Sequence, residues 1–192
     1  MQGIPGGGTI LGMGHDRDDT HSHQHPEHPG NHGPSSETSV ATFVVHCSDS
    51  RREATDQSGR MIREMLDSAG HSVIGHLVVR DDRDAVKAAL SEGMDRGAHA
   101  VIFTGGTGYL SRDITIETLR PMFDKEIPGF AQLFMQFLHQ EQGTSALIYR
   151  AIAGLYQHAV VFAIPAHPEV VKLTMQRVLI PELGNLVREL HR

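Results

Sequence analysis

The residues with the most chemical content lie at 101–113, VIFTGGTGYLSRD. An apolar run stops at a loop built from Thr104, Gly105, Gly106, Thr107 and Gly108, and Arg112 and Asp113 follow. Glycines let a backbone approach an anion closely, and successive free N–H groups form a concave anion-binding nest. A helix that starts soon after adds positive dipole potential at the same place. Phosphate is therefore the ligand class this loop suits. Neither of two familiar nucleotide loops fits it. A P-loop needs a Gly-Lys-Ser/Thr ending and there is no lysine here, and a dinucleotide fingerprint needs a third glycine where this chain has Ser111. On spacing alone, an ordinary tight turn is the competing reading.

Acidic residues add to the picture. Asp113 stands five positions beyond the last glycine of the loop, and Asp81 and Asp82 follow another apolar run, VIGHLVV at 73–79. If both runs are parallel strands, their outgoing connections meet at one sheet edge, where open α/β sheets bind ligands. Carboxylates beside a phosphate nest repel the phosphate unless a cation lies between them. Mg²⁺, with its preference for oxygen, is the expected choice. The structural alternative is that Asp113 and Asp81 cap the helices that follow them, since Asp is a favoured N-cap. Cys47 is the only cysteine, which excludes an intrachain disulfide, and it ends an apolar run as a small buried hydrophobe would.

The elements that must hold these groups alternate along the chain. Strand patterns occur at 42–47 (TFVVHC), 73–79, 99–103 (HAVIF) and 158–164 (HAVVFAI). Helical spacing appears at 58–69, through Met61, Ile62, Met65 and Leu66, and at 82–97, through Val86, Ala89, Leu90 and Met94. Further helices are expected from about Ile114, around 129–140, near 145–154 and over 168–190, the last interrupted at Pro181. Strands alternating with helices predict an α/β fold, a three-layer sandwich with a mostly parallel sheet flanked by helices. This domain is expected over residues 39–192. Residues 1–38 carry six histidines with many glycines and prolines, and are expected to be a disordered tail. His21, His23 and His25 alternate there, which would suit a divalent metal, or they are simply solvated. The net charge of −6, without any Lys/Arg cluster, argues against nucleic acid. No apolar run reaches the ~20 residues of a membrane span, so no membrane partner and a cytoplasmic location are expected.

TGGTG at 104–108 with Arg112-Asp113, Thr115 and Glu117 resembles the molybdenum-cofactor biosynthesis family that contains MoaB and the molybdopterin adenylyltransferases. DKEIPGF at 124–130, GTSALIYRAIAGL at 143–155, SDSR at 48–51, DQSG at 56–59 and RDD at 80–82 are similar to that family in the same order. VLIPELGNLV at 178–187 is similar to its MoaB branch. The resemblance spans about residues 40–190 and implies molybdopterin as substrate and ATP with Mg²⁺ as co-substrate. The implied reaction is transfer of AMP to the molybdopterin phosphate with release of pyrophosphate. By motif, Asp113 and Asp81 match catalytic positions, with Asp81 the Mg²⁺ ligand. Thr104, Gly105, Gly106, Thr107 and Gly108 match the ligand loop, and Ser48, Asp49, Ser145 and Pro165 match further pocket positions. A homo-oligomer, trimer or hexamer, and contact with the pathway's metal-insertion protein are implied as well. The MoaB branch also implies an alternative, a binding or assembly protein without catalysis. The chain departs from the family at Arg80, where proline is common, and at Ala166-His167, where the family has glycine and a small polar residue. A lost glycine at 166 predicts a strained backbone or an altered ligand contact.

Overall fold

A computed structural model describes residues 39–50 and 55–190. The histidine-rich stretch 1–38 lies outside the described residues. Six strands form one sheet: β1 (Ala41–Cys47), β2 (Ser72–Val79), β3 (Ala100–Thr104), β4 (Lys125–Glu126), β5 (Ile152–Tyr156) and β6 (Ala159–Ile164). The order across the sheet is β2-β1-β3-β6-β5-β4. The first four are parallel neighbours, whereas β5 runs antiparallel to both β6 and β4.

Alternation along the central strands makes the layers. Val44, Ile102 and Phe162 point to one face, where α1 (Gln57–Ser68), α4 (Pro128–Gln142), α5 (Pro168–Thr174) and α6 (Ile180–Leu190) cover them with Ile62, Phe134, Val171 and Leu183. Phe43, Val45, Val101 and Phe103 point the other way, under Val86 and Leu90 of α2 (Arg83–Asp95) and Ile116 and Leu119 of α3 (Thr115–Leu119). Every one of these side chains is fully or almost fully buried. The near-continuous apolar strands are thus explained by a sheet covered on both faces.

The structure corrects one expectation and refines two others. The helix expected near 145–154 is a 3-10 segment at Gly143–Ile148 followed by β5. The apolar run there belongs to a buried strand, which a short run cannot reveal by periodicity. The antiparallel β4–β5–β6 edge, with a two-residue β4, was not expected. The interruption of the last helical stretch falls just before Pro181 rather than at it. A π-helical turn at Met175–Leu179 precedes it, and Ile180 N–H donates to Met175 O, five residues back. The ladder is already shifted where Pro181, which has no N–H, must fit.

Candidate active site

Because β1, β2, β3 and β6 are parallel, their carboxyl ends share one sheet edge, and hydrogen bonds fasten the outgoing connections there. Ser48 N–H donates to Val79 O at 2.9 Å and Gly105 N–H to Ile164 O at 3.0 Å. The Thr104 hydroxyl donates to Pro165 O at 3.2 Å, and the Ser58 hydroxyl donates to Ala166 O at 2.6 Å. Asp81 N–H reaches Asp49 Oδ1 at 3.2 Å. Ser48, Asp49, Asp81, the glycine loop and Pro165 are therefore brought to one edge. Ser145 lies exposed on the 3-10 segment after α4, and no hydrogen bond among the described residues joins it to the loop.

Two glycines of the loop are required by their conformation. Gly105 and Gly106 have φ of +94° and +60°. A Cβ on Gly105 would strike Cys47 O, and one on Gly106 would strike Thr115 Oγ1 and Asp81 Oδ1. The backbone thus closes over those groups as no side-chain-bearing residue could. Thr115 N–H holds Gly106 O at 2.9 Å. The N–H groups of Gly106, Thr107, Gly108 and Tyr109 make no hydrogen bond within the described residues, and so form a run of four free donors.

The acids beside this run differ in role. Asp82 is the N-cap of α2, accepting from Asp84 N–H and Ala85 N–H at 3.0 Å each. Asp81, for which capping was the structural alternative, instead points to the loop. Its Oδ1 is buried without a hydrogen-bond partner. Burial foremost, then the charges of Asp49 and Asp113, raise its carboxyl above the usual range, against the pull of a backbone hydrogen bond and His46. Asp113 does not cap α3, whose Ile114 N-cap position has no side-chain cap. Its Oδ2 accepts from Leu110 N–H at 2.8 Å, closing the turn that follows the glycines. Thr115 Oγ1 is likewise buried without a well-formed hydrogen bond, beside the Cys47 thiol. Burial, chiefly, pushes Cys47 up to about 12, so it is an inert thiol.

Among the described residues no group of three or more His, Cys, Asp or Glu side chains can hold a metal by itself. A buried, unsatisfied Asp81 oxygen next to free loop donors does fit Mg²⁺, which takes one or two protein carboxylates and completes its shell with water and substrate phosphates.

Residues 37–185 match the family model described as a probable molybdopterin binding domain. The chain belongs to this molybdenum cofactor biosynthesis family. It is 40% identical to molybdenum cofactor biosynthesis protein B of Bacillus subtilis (strain 168), over 80% of this chain and 91% of that one. A solved structure of a molybdenum cofactor biosynthesis protein B superposes with a TM-score of 0.78 at 39% identity, covering 83% of this chain and 99% of the other. The tungsten cofactor synthesizing protein MoaB from Pyrococcus furiosus gives 0.74 at 33% identity, covering 81% and 99%.

Within this MoaB-like domain, the departure at 166 carries no strain. Gln157 is the only described non-glycine residue with positive φ, so Ala166 lies outside the left-handed region that would favour glycine. His167 is exposed at the start of α5, its ring edge-on to Tyr149 with centroids 6.3 Å apart. Sequence reasoning gave three contributors no role in the site. Arg150 binds Thr107 O and Gly108 O, Thr115 supplies the second orphaned oxygen, and buried Asp56 is gripped by His46 and His76. Arg150 and Asp56 stand in the stretches GTSALIYRAIAGL and DQSG, but only proximity in space assigns them partners.

Proposed function

We propose that this chain is a molybdopterin adenylyltransferase. The observation that carries the reading is the buried Asp81 oxygen without a partner, set under a glycine loop with four free N–H donors. An oxygen of the molybdopterin phosphate attacks the α-phosphorus of ATP, the new P–O bond replaces the α–β bridge, and pyrophosphate leaves with the electron pair. Such a transfer needs positioning and charge neutralisation more than covalent help from the protein. The loop donors hold a phosphate anion, and Asp81 with Asp113 orients the nucleotide end. Mg²⁺, when bound, neutralises charge on the phosphate oxygens, and Asp81 is the residue that would hold it. Pyrophosphate release from Mg-ATP, dependent on molybdopterin, tests the reading. Asp113→Ala should lower it by about 10²–10³-fold, and wild-type protein that binds molybdopterin without turnover refutes it.

That last outcome is the second reading, a binding or assembly protein. It is favoured by one observation: Asp113 already spends Oδ2 on Leu110 N–H.

The oligomer belongs to the same proposal. Tyr109, Leu110, Leu133, Leu147 and Ile148 are large apolar side chains left exposed, and the Tyr109 hydroxyl meets Leu147 O at 3.4 Å, which supports a shared contact face. Sedimentation equilibrium should return a trimer or hexamer, and a single monomeric species would remove this part.

A further inference from the structure

Arg150, just before β5, is partly buried, and its guanidinium meets four groups at once. Nε donates to Thr107 O at 3.0 Å, Nη2 donates to Gly108 O, and Nη1 donates to Glu117 Oε1 at 2.6 Å. Its Cζ also lies 4.9 Å from the centroid of the Tyr109 ring. As a surface ion pair, Arg150–Glu117 would matter little, since such pairs contribute about 0–1 kcal/mol to stability. The carbonyl contacts are another matter. In a trans peptide the C=O and the N–H point in opposite directions. The Thr107 carbonyl shares its peptide with Gly108 N–H, and the Gly108 carbonyl shares its peptide with Tyr109 N–H. Two carbonyls turned to Arg150 therefore turn these two N–H groups away from it, and both are free of any partner within the described residues.

Glycine at 108 leaves the Thr107–Gly108 peptide free to flip, because without a Cβ its φ can take either sign. The flipped peptide would present its carbonyl in place of the Gly108 N–H, and repel an anion. We propose that Arg150 is a positioning residue that sets the donor polarity of the glycine loop, with Glu117 holding its guanidinium in register. The planar fork is required. A lysine ammonium is a point charge that cannot reproduce the in-plane bonds to two carbonyls and a carboxylate. The anion is a phosphate, either a terminal phosphomonoester or the phosphate chain of a nucleotide. The proposal rests on the reading that this loop binds such an anion, but not on adenylyl transfer.

The test is the response of the Gly108 and Tyr109 backbone amides in ¹⁵N-labelled protein to inorganic phosphate and, in a separate arm, to Mg-ATP. In the wild type both amides should shift with one of these probes, and which probe moves them tells which kind of phosphate the loop reads. In Arg150→Lys and Arg150→Met the apparent Kd should rise about tenfold or more, with the melting temperature nearly unchanged. Glu117→Gln should give a smaller loss of about threefold, the order expected for one weakened charge-assisted contact. Arg150→Lys that binds like wild type would overturn the proposal, since charge alone would then suffice. Wild-type amides that ignore both probes would overturn it too. Absence of pyrophosphate release alongside the expected amide shifts would sink the adenylyltransferase reading and leave this one standing.

Discussion

Asp56 and Asp81 are both attached to the parallel half of the sheet, yet they are in opposite states. Asp56, the N-cap of α1, is fully buried and fully partnered. Gly59 N–H reaches its Oδ1 at 2.8 Å, His46 Nδ1 lies 2.7 Å from Oδ1, and His76 Nε2 lies 2.7 Å from Oδ2. Burial by itself would raise this carboxyl, but His46, His76 and the Gly59 N–H outweigh it and hold the group well below the usual carboxylate range. Asp81 has a buried oxygen with nothing to accept from, and burial together with Asp49 and Asp113 raises it. A carboxylate whose partners are all supplied by the fold is part of the scaffold. One whose partner is missing keeps an unspent interaction for a ligand.

The most severe way to break the contrast is Asp56→Asn. Asp56→Asn removes the buried charged acceptor that His46, His76 and the Gly59 N–H share, which costs about 1.5–3 kcal/mol, so denaturant unfolding should show that loss. A loss below about 1 kcal/mol would mean that the cluster is not a structural anchor.

Asp81→Asn should do the reverse. The neutral isostere relieves a desolvated, repelled charge, so the unfolding midpoint should rise while pyrophosphate release falls about 10²-fold or more. A variant that loses stability along with activity would place Asp81 with Asp56 as a scaffold residue.

The weakest effect, and the sharpest on sign, is that of pH. Asp56 is depressed in the folded state. Its contribution is present above the unfolded value of about 4 and is lost as pH falls toward the lower folded value. The difference in stability between wild type and Asp56→Asn should therefore shrink below about pH 4. Asp81 is raised in the folded state, so its contribution is present below about pH 4 and is lost as pH rises through the higher folded value. The stabilisation by Asp81→Asn should accordingly appear only above about pH 4. Parallel pH curves for the two variants would contradict the contrast.

Much of this was legible in the residues. TGGTG ending an apolar run, with aspartates after two strand-like segments, is enough to put a glycine loop and acids at one sheet edge, where β2 and β3 end. The strands at 42–47, 73–79 and 158–164 agree with β1, β2 and β6 within a residue or so of each end. The stretch 149–156 was not legible, because a buried strand and a short buried helix have the same apolar composition. Nor was the choice between Asp81 and Asp82 as the helix cap. Adjacent aspartates are equivalent in sequence, and only the backbone at 82, with φ −131° and ψ 138°, turns one onto α2 and leaves the other facing Gly106.

The sequence by itself determined the layers, the glycine loop and the family, because periodicity, glycine content and motif order are properties of neighbours along the chain. The tertiary structure alone decided which acids are satisfied and which are not. Asp56 lies between histidines 10 positions before it and 20 after it, and Arg150 reaches carbonyls 43 and 42 positions away. The free energy of a buried charge depends on partners that only folding brings within hydrogen-bond distance.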